Sequence, residues 1–236
     1  MSESEKKIQP RYLILLPAYN EEKYLKAVID AVKKQNEDIL VIDDGSSDQT
    51  LKIAQDEGVH VLSRGYNMGK GQSLKDGYQW ALENGYDAVI MLDSDGQHKP
   101  EEIPLFKEKY QSGNFKLIIG ARDYSKIPLR RRIPNAIGKW LFSLGVGQTI
   151  PDNQSGFRLL DRDMMELVLK SPEKGFQFEV EMIARCIGMN WPIGWVPIST
   201  IYFNKGKSHQ RVFDQLFGFP KAVMNARRII QEERNK

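Results

Sequence analysis

The sequence predicts an α/β fold, with a mostly parallel central sheet and helices on both faces. Three observations carry this. Short apolar runs alternate with segments of helical spacing through the first half of the chain. The runs are apolar at consecutive positions, as strands buried on both faces require. Polar clusters follow the runs, and such sheets bind ligands outside the carboxyl ends of their strands.

Tyr12–Leu16 is the first predicted strand, stopped by Pro17. Asn20 reads as the N-cap of a helix with Glu21 and Glu22 in its first turn and Leu25, Val28, Ile29 and Val32 on one face. Ile39–Ile42 is the second strand; a short helix over Thr50–Glu57 follows, capped by Ser47 or Asp48. Val59–Leu62 is the third strand. The next helix runs from Lys70 to Asn84, with Leu74, Tyr78, Ala81 and Leu82 on one face and Gly85 as its stop. Ala88–Leu92 is the fourth strand, Pro100 opens a helix, and Leu117–Gly120 is the fifth strand. The clusters Pro17–Glu21, Asp43–Asp48, Asn67–Gly71 and Asp93–Gln97 should therefore gather on one edge.

The second half is less regular. Ser125–Pro134 reads as a basic, proline-containing loop, and Ile137, Trp140, Leu141 and Leu144 as one face of an amphipathic helix. Phe157–Leu160 suits a strand and Asp161–Lys170 a helix; Val196–Phe203 alternates weakly, and a helical tail follows Val212. The expected division is a loose tail over 1–11, one catalytic domain over 12–210 and a helical, membrane-interfacial segment over 211–236.

The 236 residues suffice for a sizeable core, and a net charge of +3 is too small to argue for nucleic acid. One cysteine, Cys186, excludes an intrachain disulfide or a cysteine-built metal site, so the cytoplasm is the expected compartment. Spanning a bilayer takes ~18 or more consecutive apolar residues, and no run approaches that. Two stretches, 133–150 and 212–230, combine aromatic and aliphatic residues with flanking cations, which fits a peripheral place at the inner face of the membrane. Packing on the sheet explains them equally well.

The chemistry concentrates in five stretches. Asp93-Ser94-Asp95 ends an apolar run, and two carboxylates so close need a cation between them. Mg²⁺ or Mn²⁺ takes one or two carboxylates together with substrate phosphates, and Gln97 adds a carbonyl oxygen. By itself Asp-x-Asp is as well a polar turn; the strand and its sister clusters favour metal. Asp43-Asp44-Gly45 again puts paired acids at a strand end, where Asp44 suits a base or ribose. Gly65–Ser73, with Lys70, is a glycine-rich turn before a helix and suits phosphate, although its spacing is not a P-loop. Arg122 and Arg130-Arg131-Arg132 suit phosphate oxygens. Asp152–Arg158 is a donor-rich loop entering a strand; Glu179 and Glu181 stand two apart in an otherwise apolar stretch.

Taken in order, the motifs resemble family two of the glycosyltransferases, whose nucleotide-sugar fold is called GT-A. L-P-A-Y-N-E-E (16–22), V-I-D-D-G-S-S-D-Q-T (41–50) and N-M-G-K-G (67–71) are similar to the donor half, and D-S-D-G-Q-H-K-P-E-E (93–102) to the metal motif. G-A-R-D (120–123), the arginine pair and S-G-F-R (155–158) resemble the subgroup that makes polyprenyl-phosphate sugars, such as the dolichyl-phosphate mannose synthases. Where relatives often show Gly-x-Ser-Lys, this chain has Gly206-Lys207-Ser208-His209.

The resemblance implies an inverting, metal-dependent transfer of a hexose from GDP-mannose or a UDP-sugar to a dolichyl or undecaprenyl phosphate. Pro17, Ala18, Tyr19, Glu21, Asp44, Lys70 and Asp93 would hold the donor. Asp93, Asp95 and Gln97 would hold Mg²⁺ or Mn²⁺. Arg122, Arg131, Arg132 and Ser155 would hold the acceptor phosphate, with Asp93, Asp95 and Arg122 carrying the chemistry. A saccharide hydroxyl acceptor, which would need Asp152, Glu179 or Glu181 as base, remains open. So do a nucleotide-sugar-binding protein without turnover and a nucleotidyltransferase.

Overall fold

The computed structural model describes residues 9–123, 129–175, 177–201 and 223–235, and for 129–137 the backbone alone. A seven-stranded sheet, in the order β3-β2-β1-β4-β6-β5-β7, forms its centre. The strands are β1 (Tyr12–Ala18), β2 (Asp38–Asp43), β3 (His60–Ser63), β4 (Ala88–Met91), β5 (Leu117–Arg122), β6 (Arg158–Asp161) and β7 (Ile193–Ile198). Strand β6 alone runs against its neighbours, pairing antiparallel with β4 and β5; the other pairings are parallel.

The consecutive apolar runs are explained by two cores. Leu13, Leu15, Leu40, Ile42, Val89 and Met91 face one side, and their neighbours Ile14, Leu16, Ile39, Val41 and Ile90 the other, as the two-residue period of a strand dictates. The helices are α1 (Leu25–Lys33), α2 (Thr50–Asp56), α3 (Lys70–Glu83), α4 (Ile103–Gln111), α5 (Leu129–Val146), α6 (Arg162–Leu169), α7 (Phe178–Gly188) and α8 (223–234). A 3₁₀ turn at Pro100–Glu102 leads into α4.

Four expectations are corrected. Pro17 lies inside β1. The carbonyls of Leu15 and Pro17 both face the β4 side, accepting from Leu92 N (3.1 Å) and Ser94 Oγ (2.8 Å). The missing proline N–H therefore falls where β4 has already ended, and no ladder bond is lost. Asn20 caps no helix: it adopts a left-handed φ of 55° and joins two loops, accepting from Ser47 N (2.8 Å) while its own N donates to Ser46 Oγ (2.9 Å). Helix α5 starts at Leu129, so Arg131, Arg132 and Pro134 are helical. Its buried face holds Phe142 and Val146, whereas Trp140 is 60% and Leu144 56% exposed. Close approach to α8 explains that rotation, since a Cβ on Gly145 would stand 2.3 Å from Val223 Cγ1.

Helix α8 buries Ala226, Ile229 and Ile230. It also carries buried Glu233 to Arg185 of α7, whose guanidinium pairs with Glu181 as well (Nη2–Oε1 2.6 Å). This part of the expected C-terminal interfacial segment is thus docked on the core. The stretches 202–222 and 124–128 lie outside the described residues.

Glu233→Ala takes one of two buried carboxylates from Arg185 and leaves Glu181 as its partner. It should lower unfolding stability by about 2 kcal/mol, the cost of a buried hydrogen bond to a charged group. Glu232→Ala, which breaks an exposed pair with Arg228, should change it by less than about 0.5 kcal/mol. Urea denaturation of the two variants checks the contrast.

Candidate active site

The predicted gathering of polar clusters is realised. A cavity of about 310 Å³ opens at the carboxyl ends of β1, β2 and β4, and its lining includes Pro17, Tyr19, Asp44, Lys70, Asp93 and Asp95. Ala18 and Glu21 line it as well. Tyr19 is half exposed there. The loop after β1 is tied to the start of α2 by Glu21 N donating to Thr50 Oγ1 (2.8 Å).

Asp44 organises the glycine-rich loop. Its carboxylate accepts from Met68 N (3.0 Å), Gly69 N (2.9 Å) and Arg64 Nη2 (2.8 Å). Arg64 in turn reaches Ser73 Oγ (2.9 Å) and Asp76. Both Asp44 oxygens are thus engaged within the protein, and what the residue offers a ligand is chiefly the loop it holds. Gln72 N donates to Lys174 O (3.1 Å), which fixes the same turn from the other side. The first residue of α3, Lys70, therefore leaves a rigid backbone.

The Lys70 ammonium bridges two acids, standing 2.5 Å from Asp93 Oδ1 and 2.9 Å from Glu179 Oε1. His98 Nε2 stands 3.5 Å from the other Asp93 oxygen. Burial opposes ionisation of Asp93, but Lys70 and His98 outweigh it and hold the carboxyl well below its usual range. Burial likewise opposes the Lys70 charge, and Asp93 and Glu179 outweigh it and raise its pKa.

Asp95 differs. Its hydrogen bonds come from the backbone N (3.1 Å) and side-chain Nε2 of Gln97, and among the described residues no basic side chain pairs with it. No three His, Cys, Asp or Glu side chains converge as a metal cage among the described residues. The donor set fits a hard divalent ion held by one or two carboxylates and completed by substrate phosphate. Asp95 would be the principal ligand and Asp93 the second. Gln97 is turned with its amide nitrogen on Asp95, as a donor rather than an oxygen ligand.

Of the expected acceptor residues, Arg122 and Ser155 are not among the residues that line this cavity. Arg122 clamps Asp152, Nε to Oδ2 at 2.6 Å and Nη2 to Oδ1 at 2.9 Å. Burial would raise the Asp152 pKa, but Arg122 lowers it, so the acid stays ionised. Ser155 is buried and accepts from Phe157 N (3.4 Å). Arg131 and Arg132 lie in the first turn of α5, and their side chains are outside what is described.

The model of the family described as glycosyl transferase family 2 matches residues 13–169. The chain belongs to this family. It is a glycosyltransferase with the GT-A fold. An undecaprenyl-phosphate mannosyltransferase from Micrococcus luteus is 32% identical over 84% of this chain and 86% of that protein. A polyprenol monophosphomannose synthase from Mycolicibacterium smegmatis is 32% identical over 80% and 77%. Among solved structures, glucosyl-3-phosphoglycerate synthase from Mycobacterium tuberculosis, in complex with Mn²⁺, UDP and glucosyl-3-phosphoglycerate, superposes with a TM-score of 0.73 at 18% identity. That comparison covers 93% of this chain and 81% of the other, and supports the fold.

Three residues of this glycosyltransferase's site escaped the sequence reading or were read differently. Arg64 gave one signal, a lone cation between a strand end and a glycine loop. Arg158 is fully buried and donates to the carbonyls of Ser155 (2.8 Å) and Glu179; the S-G-F-R motif includes it, but its role in holding α7 to the loop is visible only in three dimensions. Gly156 packs on Asp93, and a Cβ there would stand 2.3 Å from Oδ2. Gly156→Ala should therefore displace the Asp93 carboxylate and lower kcat about 100-fold with the circular dichroism spectrum unchanged. Steady-state turnover of the two proteins measures this.

Proposed function

We propose that the chain transfers a hexose from a nucleotide-diphospho-sugar, GDP-mannose or a UDP-sugar, to a polyprenyl phosphate. One observation carries the reading: Asp93, Asp95, Lys70 and the glycine loop converge on a single cavity in a family-2 chain whose relatives include an undecaprenyl-phosphate mannosyltransferase. Mg²⁺ or Mn²⁺, held by Asp95 and Asp93, would supply Lewis-acid stabilisation of the leaving diphosphate. The Gly65–Lys70 loop, whose Met68 and Gly69 N–H groups are held by Asp44, would bring the Lys70 ammonium to the same phosphates. A phosphate oxygen of the acceptor then attacks the anomeric carbon as its bond to the β-phosphate oxygen breaks. The configuration inverts and a nucleoside diphosphate leaves.

The acceptor oxygen is already an anion, so no general base is required and positioning does most of the work. The three acids that a hydroxyl acceptor would need as base are engaged elsewhere. Asp152 is clamped by Arg122, Glu181 by Arg185, and Glu179 holds Lys70. This favours the phosphate acceptor over a saccharide. In the proposed site Arg122, held by Asp152, and Ser155 act on the acceptor side with Arg131 and Arg132.

A polyprenyl acceptor lives in a bilayer. No helix among the described residues is long and apolar enough to cross one. Trp140, Leu144 and Met224 are each more than half exposed on α5 and α8, with Lys139 adjacent, which suits contact with an anionic interface. We place the protein in the cytoplasm, peripheral at the inner face of the membrane.

A panel of GDP- and UDP-sugars with undecaprenyl phosphate tests the reaction. Nucleoside diphosphate release should require both the lipid and Mg²⁺ or Mn²⁺, and Asp95→Ala should lower it at least about 100-fold. Release of pyrophosphate, or full turnover with a free saccharide acceptor, would refute the assignment; no turnover with any donor would favour a binding protein. Flotation with anionic vesicles tests the surface: wild type should float, and Trp140→Ser/Leu144→Ser should stay largely at the bottom of the gradient.

A further inference from the structure

We propose that Lys70 competes with the divalent ion for one oxygen, Asp93 Oδ1, and that Glu179 is the positioning residue that keeps Lys70 in the site when the ion loads with the donor. The proposal rests on the metal-dependent donor reading above and adds an order to it. Asp93 has two oxygens. Oδ2 is pressed against Gly156, where a Cβ would stand 2.3 Å away, and is approached by His98 Nε2 at 3.5 Å. Oδ1 lies slightly farther from Gly156, 2.7 Å from a Cβ built there, and is the oxygen Lys70 Nζ reaches, at 2.5 Å. An Mg²⁺-sized ion needs a carboxylate oxygen at about 2.0–2.1 Å. Two cations on one oxygen would repel strongly in a partly buried site.

Lys70 has a second partner already in contact. Glu179 comes from α7, is 2% exposed, and stands 2.9 Å from the same ammonium. The Lys70 backbone cannot follow, because Asp44 holds Gly69 N and Lys174 O holds Gln72 N. Only the four-carbon stem can swing, and it is flexible. One end of that swing is Asp93. The other is Glu179 together with a diphosphate in the cavity that Lys70 lines. Lys70 thus weakens ion binding by the free protein. A bound diphosphate draws the ammonium off Asp93, and ion and nucleotide tighten each other reciprocally.

The test is Mn²⁺ affinity of the full chain, read by electron paramagnetic resonance of free Mn²⁺, with and without saturating UDP or GDP and corrected for Mn²⁺–nucleotide complexes in solution. In wild type the nucleotide should tighten Mn²⁺ by about tenfold or more. In Lys70→Met the free protein should bind Mn²⁺ more tightly and the ratio should fall below the wild-type value, leaving the part that direct phosphate ligation of the ion supplies. In Glu179→Gln, where Lys70 loses the competing acid, the free protein should bind more weakly and the ratio should rise. The double variant Lys70→Met/Glu179→Gln removes the Lys70 charge and the buried Glu179 charge together and leaves Asp93 with His98, so it covers the case in which Lys70→Met does not fold; its ratio should also fall below the wild-type value. A Lys70 that stays in place would shift both affinities together, and a ratio unchanged from wild type would overturn the proposal while leaving the donor reading intact. Wild type that binds no Mn²⁺ with either nucleotide would overturn the donor reading and the proposal with it.

Discussion

The site is organised by the need to compensate acids crowded at one edge of a sheet. Four strand-end carboxylates, Asp43, Asp44, Asp93 and Asp95, lie close to the cavity, and most receive a counter-charge or a set of N–H donors from a different element. Asp43 accepts from Ser46 N and from Ser63 Oγ at the end of β3. Asp44 takes Arg64 and the loop before α3. Asp93 takes Lys70. Each pairing ties a loop to its neighbour, so satisfying the electrostatics also builds the walls of the cavity. Asp43 and Asp95 take no cation among the described residues, and of the two Asp95, held by Gln97, lines the cavity. A site that pairs Asp44 and Asp93 internally and leaves a cavity-lining acid without a cation is suited to a metal that arrives with its substrate.

Much of this was readable along the chain. Consecutive apolar runs located β1 to β5 to within about two residues, because strands buried on both faces leave few polar positions to confuse the pattern. The switch from strand to polar cluster placed the donor residues on one edge before any contact was known. What stayed hidden depends on distant partners. The reversed β6 sits between β4 and β5, a pairing that no local period encodes. The orientation of α5 was misread because Gly145 and Val223 decide it, and Val223 belongs to the last helix. Glu179 stood out as an acid in an apolar stretch, but its partner Lys70 is 109 residues away. Asp44 and Arg122 stand out along the chain by type and place, while their internal partners, Arg64 and Asp152, could be found only in three dimensions.

The two halves of the proposed site are held by different means. Around the cavity, short turns and backbone N–H groups fix the geometry, and charge is spread over several partners. On the proposed acceptor side, a single buried acid, Asp152, orients Arg122 through two parallel hydrogen bonds. Such a bidentate pair is geometrically specific, and its acid is no longer available to take a proton. The fold thus uses one carboxylate to aim a cation and another, Glu179, to retain one, and neither needs to act on the substrate.

The reversal of β6 has an evolutionary consequence. The chain leaves the sheet at the end of β5 and returns through β6, the adjacent strand, which is pinned on both sides by β4 and β5. Everything between, including α5 and the Asp152 loop, departs from and rejoins the same place. Such an excursion can vary at its rim without shifting the strands that carry Asp44 and Asp93, whereas its base is fixed: Phe142, Val146 and Ile150 lie in the core and Gly156 packs on Asp93. A change of chemistry in such an insert is therefore a change of its rim, with the packed base inherited.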